Sequence, residues 1–225
     1  MSDRAQWAKR QLAYEFSDEE LLNQALTHRS ASKTNNERLE FLGDALLSFT
    51  VAAELYARRP DATEGDLSRA RAALVKKDTL ARIGRRIGID EQLVLGSGEL
   101  RSGGAHRASA LADAVEALIG AVYIDGGFGV AEALVRRLLE APLAELPDSE
   151  SLKDPKTRLQ EWLQARGWAL PIYTVDAVTG SDHNQCFVVR CDVIEREKSC
   201  SGQGTSRRRA EQAAAKNMLE ELQCD

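Results

Sequence analysis

Apolar residues recur at helical spacing through most of the first 140 positions, and the breaks between them carry the expected punctuation. Ser17-Asp18-Glu19-Glu20 reads as a capping box, with Ser17 as N-cap and Glu20 at the third helical position, opening a helix through Leu21, Leu22, Ala25 and Leu26. Further helical periodicity covers about 37–58, 66–76, 78–87, 108–124 and 128–140, separated by Pro60, Gly65, Gly96, Gly98, Gly103-Gly104 and Gly126-Gly127. Asp66 fits the N-cap of its helix. Between about 141 and 153 the pattern stops in a polar stretch containing Pro142, Pro147, Asp148, Ser149, Glu150 and Ser151, which reads as a linker. Beyond it the period changes. Asp154-Pro155 supplies an N-cap and a first-turn proline for a helix through Leu159, Trp162 and Leu163 to Gly167. Three β-prone runs follow, at about 171–178, 185–193 and 195–201, and a last helix runs from about Ser206 to Leu222.

The expectation is therefore a multidomain chain: an all-α domain over 1–146, a linker over 147–153, and a small α+β domain of order α-β-β-β-α over 154–225, with two helices on one face of its sheet. An apolar fraction of 43% is enough for ordinary cores. No run approaches the roughly 18–20 apolar residues of a membrane span, and Met1-Ser2-Asp3-Arg4 lacks the apolar segment of a signal peptide, so the expectation is a soluble protein of the cytoplasm. Cys186, Cys191, Cys200 and Cys224 show no disulfide-framework spacing and read as reduced thiols. The net charge of −5 does not by itself point to a nucleic-acid partner. Residues 153–225 hold 11 basic and 11 acidic residues, which leaves 19 and 24 of the totals of 30 and 35 for residues 1–152. The acidity belongs to the helical part, and local clusters must carry any attraction to phosphate.

Two acidic constellations stand out. In Asn36-Glu37-Arg38-Leu39-Glu40-Phe41-Leu42-Gly43-Asp44, the carboxylates at i, i+3 and i+7 fall within about 60° of one another on a helix, among apolar neighbours. In Ser109–Ala121, Asp113 and Glu116 are the only charges, again side by side at i, i+3. A generic acidic triplet is a solvated helix face. Here the apolar flanks and the second pair favour buried carboxylates that need protonation, a basic partner or a bound cation. Packed together, the two helices would offer Glu40, Asp44, Asp113 and Glu116 to one spot. Oxygen-only donors suit Mg²⁺, with Mn²⁺ as substitute, and the three histidines (His28, His106, His183) lack metal-ligand spacing.

The last helix opens with Ser206-Arg207-Arg208-Arg209-Ala210-Glu211-Gln212-Ala213-Ala214-Ala215-Lys216. Three arginines alone would be an ordinary solvated cluster, but at a helix N-terminus they add to a ready-made anion site. After the α-β-β-β pattern and the Gly180-Ser181-Asp182-His183 loop, this segment resembles a double-stranded-RNA-binding domain. Such domains read A-form shape across successive minor grooves and the phosphates between them. The resemblance implies that Thr157, Gln160 and Glu161 meet ribose hydroxyls and base edges, that His183 reaches the next minor groove, and that Arg207, Arg208 and Lys216 contact phosphates. Ser181 stands where the family commonly has proline.

The helical domain resembles ribonuclease III, whose signature the segment Asn36–Asp44 reproduces, with Leu26-Thr27-His28-Arg29-Ser30, Glu64-Gly65-Asp66-Leu67-Ser68 and the Asp113–Glu116 helix in support. The resemblance runs from about residue 10 to the end. It implies Glu40, Asp44, Asp113 and Glu116 as metal ligands, with Asp44 and Glu116 catalytic, and Glu37 and Glu64 at the rim engaging RNA. For Glu64 a plain helix-entry turn is an equal reading. It implies that Phe41 plugs into a hollow on a second copy, the other reading being a core phenylalanine. It further implies a homodimer that hydrolyses double-stranded RNA with Mg²⁺, leaves 5′-phosphates and short 3′ overhangs, and processes ribosomal RNA precursors and messenger transcripts. Whether one or two ions bind stays open. The alternatives are a non-catalytic double-stranded-RNA-binding protein that uses the helical domain for dimerisation, and, more weakly, a carboxylate-bridged redox protein, which the absence of Glu-x-x-His pairs disfavours.

Overall fold

The computed structural model describes residues 2–101, 107–181 and 185–223. The chain separates into two compact units, 1–147 and 148–225. No helix among the described residues is long and apolar enough to cross a membrane.

The first unit is helical. In order it contains α1 (Asp3–Gln11), α2 (Glu19–Ala25), α3 (Glu37–Arg58), α4 (Glu64–Val75), α5 (Lys77–Arg86), a short 3-10 turn (Ile89–Glu91), α6 (Ser97–Arg101), α7 (Ala108–Gly126) and α8 (Phe128–Ala144). Helix α7 is apolar nearly all round, and such a helix belongs inside. Leu111, Ala114, Val115, Ala117, Leu118, Ile119 and Ala121 are each at most 1% exposed. Leu47, Val51 and Leu55 of α3 and Leu134, Val135 and Leu138 of α8 complete the core around it.

Two glycines bring α3 and α7 to backbone contact. A β-carbon at Gly43 would fall 1.7 Å from the Glu116 carbonyl oxygen, and one at Gly120 would fall 2.3 Å from the Leu39 carbonyl oxygen. Any larger residue at either position would hold the helices apart.

Several local expectations need correction. The N-cap of α2 is Asp18, which accepts from the Glu20 N–H at 2.8 Å, and not Ser17. Asp125 takes the N–H groups of both Ser17 and Asp18, at 2.8 and 3.0 Å, and the Tyr14 hydroxyl at 2.6 Å, so the chain is pinned one residue further on. Thr63, not Asp66, caps α4, and Asp66 returns the bond at the third position of a capping box. Helix α1 was not anticipated; its Trp7 is buried and donates to the Ile87 carbonyl at 2.8 Å. Helix α8 continues through Pro142, where a break was expected. The proline cannot donate to the Leu138 carbonyl four residues back, and that carbonyl is satisfied instead by Arg86 Nη2 at 2.7 Å.

The second unit contains α9 (Pro155–Gln164), β1 (Ile172–Thr179), β2 (Cys186–Val193), a 3-10 turn (Ile194–Arg196), β3 (Lys198–Gly204) and α10 (Arg207–Gln223). The sheet is antiparallel in the order β1-β2-β3. The third strand starts later than expected because Glu197, with φ of 51°, closes a turn that pairs Val193 with Lys198. Asp154 caps α9 as expected, accepting from the Thr157 N–H at 3.1 Å. Leu159, Leu163, Cys191, Val193, Ala214, Ala215, Met218, Leu219 and Leu222 form one core between the sheet and the two helices. Its tightness depends on small residues. A β-carbon at Gly202 of β3 would lie 2.1 Å from the Ala214 nitrogen, which accounts for the alanines of α10.

Candidate functional site

The Gly43–Gly120 crossing decides where the acids go. Glu40 lies one turn before Gly43 on α3, and Glu116 one turn before Gly120 on α7, so close backbone contact draws their side chains to one spot. Carboxylate oxygens of Glu40, Asp113 and Glu116 all lie within 4.8 Å of one another, and all three residues are half-buried. Asp44, one turn beyond Glu40, is exposed and lies outside this triad. Its charge still reaches the site, acting against ionisation of Glu116.

Burial pushes the Glu116 carboxyl up to about 8, and the neighbouring charges of Asp44, Glu40 and Asp113 push the same way. Burial likewise raises Glu40, helped by Asp113 and Glu37, and raises Asp113 against the opposing pull of Lys77, His28 and Arg29. Burial and like charges thus both act against ionisation, the situation that a bound cation relieves. Glu54, a buried acid further along α3, shows the alternative arrangement. It pairs with Arg58 at 2.5 Å and with Arg136.

The donor chemistry fits a hard divalent ion. Every close donor is a carboxylate oxygen, and no nitrogen or sulfur ligand joins the group among the described residues.

A cleft of about 400 Å³ opens beside the triad and is lined by Glu37, Glu40 and Asp113 together with His28, Arg29, Glu99, Arg107 and Ser109. Glu37 lies at its edge, 3.6 Å from Arg29. His28 Nδ1 is 2.8 Å from the Ser30 hydroxyl. Sequence pattern alone gives no functional signal for the cationic side of this cleft beyond the family resemblance of Leu26–Ser30. Glu64 is exposed at the start of α4 and accepts from the Ser68 hydroxyl at 2.6 Å; no described contact joins it to the acidic triad.

Phe41 is 81% exposed, which rules out the core reading within this chain. Phe49 and Tyr56 of α3 are 60% and 75% exposed and fall within about 80° of Phe41 around the helix. Ile124 and Phe128 extend the same apolar surface, with Phe49 and Phe128 rings 6.0 Å apart. A contiguous exposed patch of this kind marks an interaction surface.

In the second unit, Thr157 and Gln160 of α9 share a groove with Arg207 and Arg208 of α10. Glu161 pairs with Lys153, Arg207 with Glu211 at 2.8 Å, and Lys216 with Glu220 at 3.8 Å. Arg208 is exposed. His183 lies outside the described residues.

Residues 18–143 match a family model described as Ribonuclease-III-like, and residues 155–222 match one described as a double-stranded RNA binding motif. Ribonuclease 3 of Vibrio vulnificus strain YJ016 is 56% identical over 95% of each chain. Ribonuclease 3 of Alkalilimnicola ehrlichii is 54% identical over 94% of this chain and 93% of its own. Among solved structures, the nuclease domain of ribonuclease III from Campylobacter jejuni is 39% identical, with a TM-score of 0.61, covering 65% of this chain and all of that one. A second structure of that domain, at 42% identity and a TM-score of 0.59 over 60% of this chain and 95% of its own, is described for flexibility in a region involved in dimer formation.

Proposed function

The chain belongs to the ribonuclease III family and is a ribonuclease with a helical nuclease domain followed by a double-stranded-RNA-binding motif, and from that premise we propose that it hydrolyses phosphodiester bonds of duplex RNA at the Glu40–Asp44–Asp113–Glu116 cluster. The observation that carries this reading is the convergence of Glu40, Asp113 and Glu116 oxygens within 4.8 Å, where charge is left uncompensated by any described cation bond. Glu40, Asp113 and Glu116 would hold Mg²⁺, or Mn²⁺ in its place, with Asp44 completing the set from the exposed side. When bound, the ion supplies polarisation of the phosphoryl group, activation of water and stabilisation of the leaving 3′ oxygen.

The protein's own residues do the rest. The α3–α7 crossing fixes the carboxylates in advance, so little reorganisation is needed when substrate arrives. Glu37, at the rim beside Arg29, faces incoming RNA. Glu64 lies apart from the cluster within one chain, and its role in engaging RNA is kept for a surface completed by a second copy. Thr157, Gln160, Glu161 and His183 read the minor grooves, while Arg207, Arg208 and Lys216 meet phosphates. Phe41 leads the exposed stripe of α3 into a homodimer, since the one acidic cluster among the described residues of each chain calls for two chains to cut two strands. The products are 5′-phosphate ends with short 3′ overhangs, and the substrates are structured ribosomal RNA precursors and messenger transcripts in the cytoplasm.

Incubation of end-labelled duplex RNA with the protein in Mg²⁺, and then in EDTA, tests this. Cutting in Mg²⁺ alone is expected; a gel shift without cutting in either would leave only a binding protein.

A further inference from the structure

The groove between the starts of α9 and α10 contains contacts that cleavage does not use. Gln212 ties the helices together: its Nε2 donates to Asp154 Oδ1 at 2.8 Å, and its Oε1 accepts from the Lys156 N–H at 3.1 Å. Asp154 in turn accepts from the Thr157 hydroxyl at 3.0 Å. Beside this link, Glu211 accepts from Lys156 Nζ at 2.7 Å on one oxygen and from Arg207 Nε at 2.8 Å on the other. The Glu211 side chain is 13% exposed, whereas those of Lys156 and Arg207 are 34% and 64% exposed. The anion is covered and its two cations form the surface. Lys156 Nζ also lies 4.3 Å from the centre of the Tyr173 ring, which fixes it from a second side.

A carboxylate in the middle of a phosphate-binding face works against simple affinity, because attraction to any polyanion grows with each cation that meets a phosphate. Its effect is subtraction combined with placement. Shared between an ammonium and a guanidinium, it cancels one of their two charges and holds both at a fixed separation. The guanidinium is engaged through Nε, so its terminal nitrogens remain for an anion. A flexible single strand, or a duplex of different groove geometry, meets less net charge and a spacing that does not suit it. A-form RNA of matching spacing still makes both contacts. Selectivity is a difference of affinities, and weakening the wrong complexes raises it as surely as strengthening the right one.

We propose that Glu211 is a specificity-determining positioning residue, which clasps Lys156 and Arg207 so that this face prefers duplex RNA over single-stranded RNA and duplex DNA. The proposal rests on the double-stranded-RNA reading of the second unit. Lys156, and after it Arg207, hold the Glu211 carboxyl below its ordinary range against the opposing effect of burial, in agreement with a charged clasp at neutral pH.

The test uses the full chain in EDTA, where no cutting occurs, with a duplex RNA, one of its single strands and a duplex DNA of equal length, each titrated over a range of KCl. Glu211→Gln, which keeps the shape and removes the charge, is expected to bind the single strand and the DNA about 3- to 10-fold tighter, with salt slopes steeper by about one phosphate contact. Duplex RNA binding should stay level or fall, so that selectivity drops roughly 10-fold. Glu211→Asp keeps the charge but shortens the reach. It is expected to retain the wild-type salt slope and still lose part of the selectivity. A parallel loss of affinity for all three ligands with unchanged slopes would indicate mere structural support and overturn the proposal, as would unaltered selectivity in both variants. A wild-type chain with no preference for duplex RNA would overturn the parent reading first, before any variant is compared.

Discussion

In the first unit Glu40, Asp113 and Glu116 crowd together with no described cation bonded to them, and burial raises all three carboxyls. In the second unit Glu211 and Asp154 are equally deliberate in position, yet each is matched: Glu211 by Lys156 and Arg207, Asp154 by Gln212 and Thr157, and both carboxyls are held low. The first arrangement leaves negative charge for something outside the chain to neutralise. The second settles its own charge and presents the remainder to a polyanion. Binding and cutting are thus separable properties of two differently built surfaces, and each prediction below acts on one side of that contrast.

The largest expected effect comes from Glu116→Gln. Loss of a proposed metal ligand should lower Mg²⁺-dependent cleavage by well over the roughly 10- to 100-fold typical of outer-shell partners, while duplex binding in EDTA is unchanged. Cleavage at wild-type rate, read on a denaturing gel, would remove Glu116 from the site. Next in size is Gly43→Ala, whose β-carbon meets the Glu116 carbonyl at 1.7 Å. Overpacking of this kind costs about 1–3 kcal/mol, so the thermal transition of the first unit should fall and cleavage with it, the transition of the second unit staying put. An unmoved transition would mean that the helices do not cross there.

Phe41→Ala removes an exposed aromatic worth about 1.5–3 kcal/mol if buried in a dimer. Because a symmetric dimer loses the contact twice, sedimentation should show it dissociating at on the order of 10²- to 10⁴-fold higher protein concentration, without loss of monomer stability. No change in dissociation would leave the stripe without its assigned partner.

The smallest effect is on pH dependence, and its sign differs between the units. Carboxyls raised in the folded state stabilise it fully below their ordinary range and lose that contribution as pH rises, for Glu116 through about 8. In metal-free protein the first unit should therefore melt lower at pH 8.5 than at pH 6. Mg²⁺ should reverse this and release protons on binding near neutrality. The carboxyls of Asp154 and Glu211, lowered in the fold, contribute above their ordinary range and lose stability only as pH falls below it. These two carboxyls leave the second unit flat from pH 6 to about 8, and only near pH 8.5 do the Cys191 and Cys200 thiols, raised by burial, begin to lower it slightly. Calorimetric scans at the two values distinguish these behaviours.

Much of this was legible in the chain. The spacing of Glu37, Glu40 and Asp44, and of Asp113 and Glu116, is local, and the long periodic helices that carry them are the elements sequence patterns describe best. What local pattern could not provide was the meeting of α3 with α7. That depends on Gly43 and Gly120 facing each other's backbone, and a glycine within a helix does not announce its partner. The same holds for Asp125, whose three bonds reach residues more than a hundred positions away, and for Pro142, tolerated only because Arg86 satisfies the carbonyl it frees. Charge pairing in the second unit was also hidden. Lys156 and Glu211 are 55 positions apart, and neither looks remarkable alone. The triple arginine was visible, and so was Glu211 one turn beyond its first member, but that the same carboxylate also takes Lys156 was seen only once α9 and α10 lay side by side.

Metal binding by the carboxylate cluster is the property on which cleavage most directly depends. In crystals grown with Mn²⁺, anomalous scattering is predicted to show an ion among Glu40, Asp113 and Glu116, with carboxylate oxygens as its protein ligands. Density for those three side chains well ordered, but with no anomalous peak among them, would contradict it.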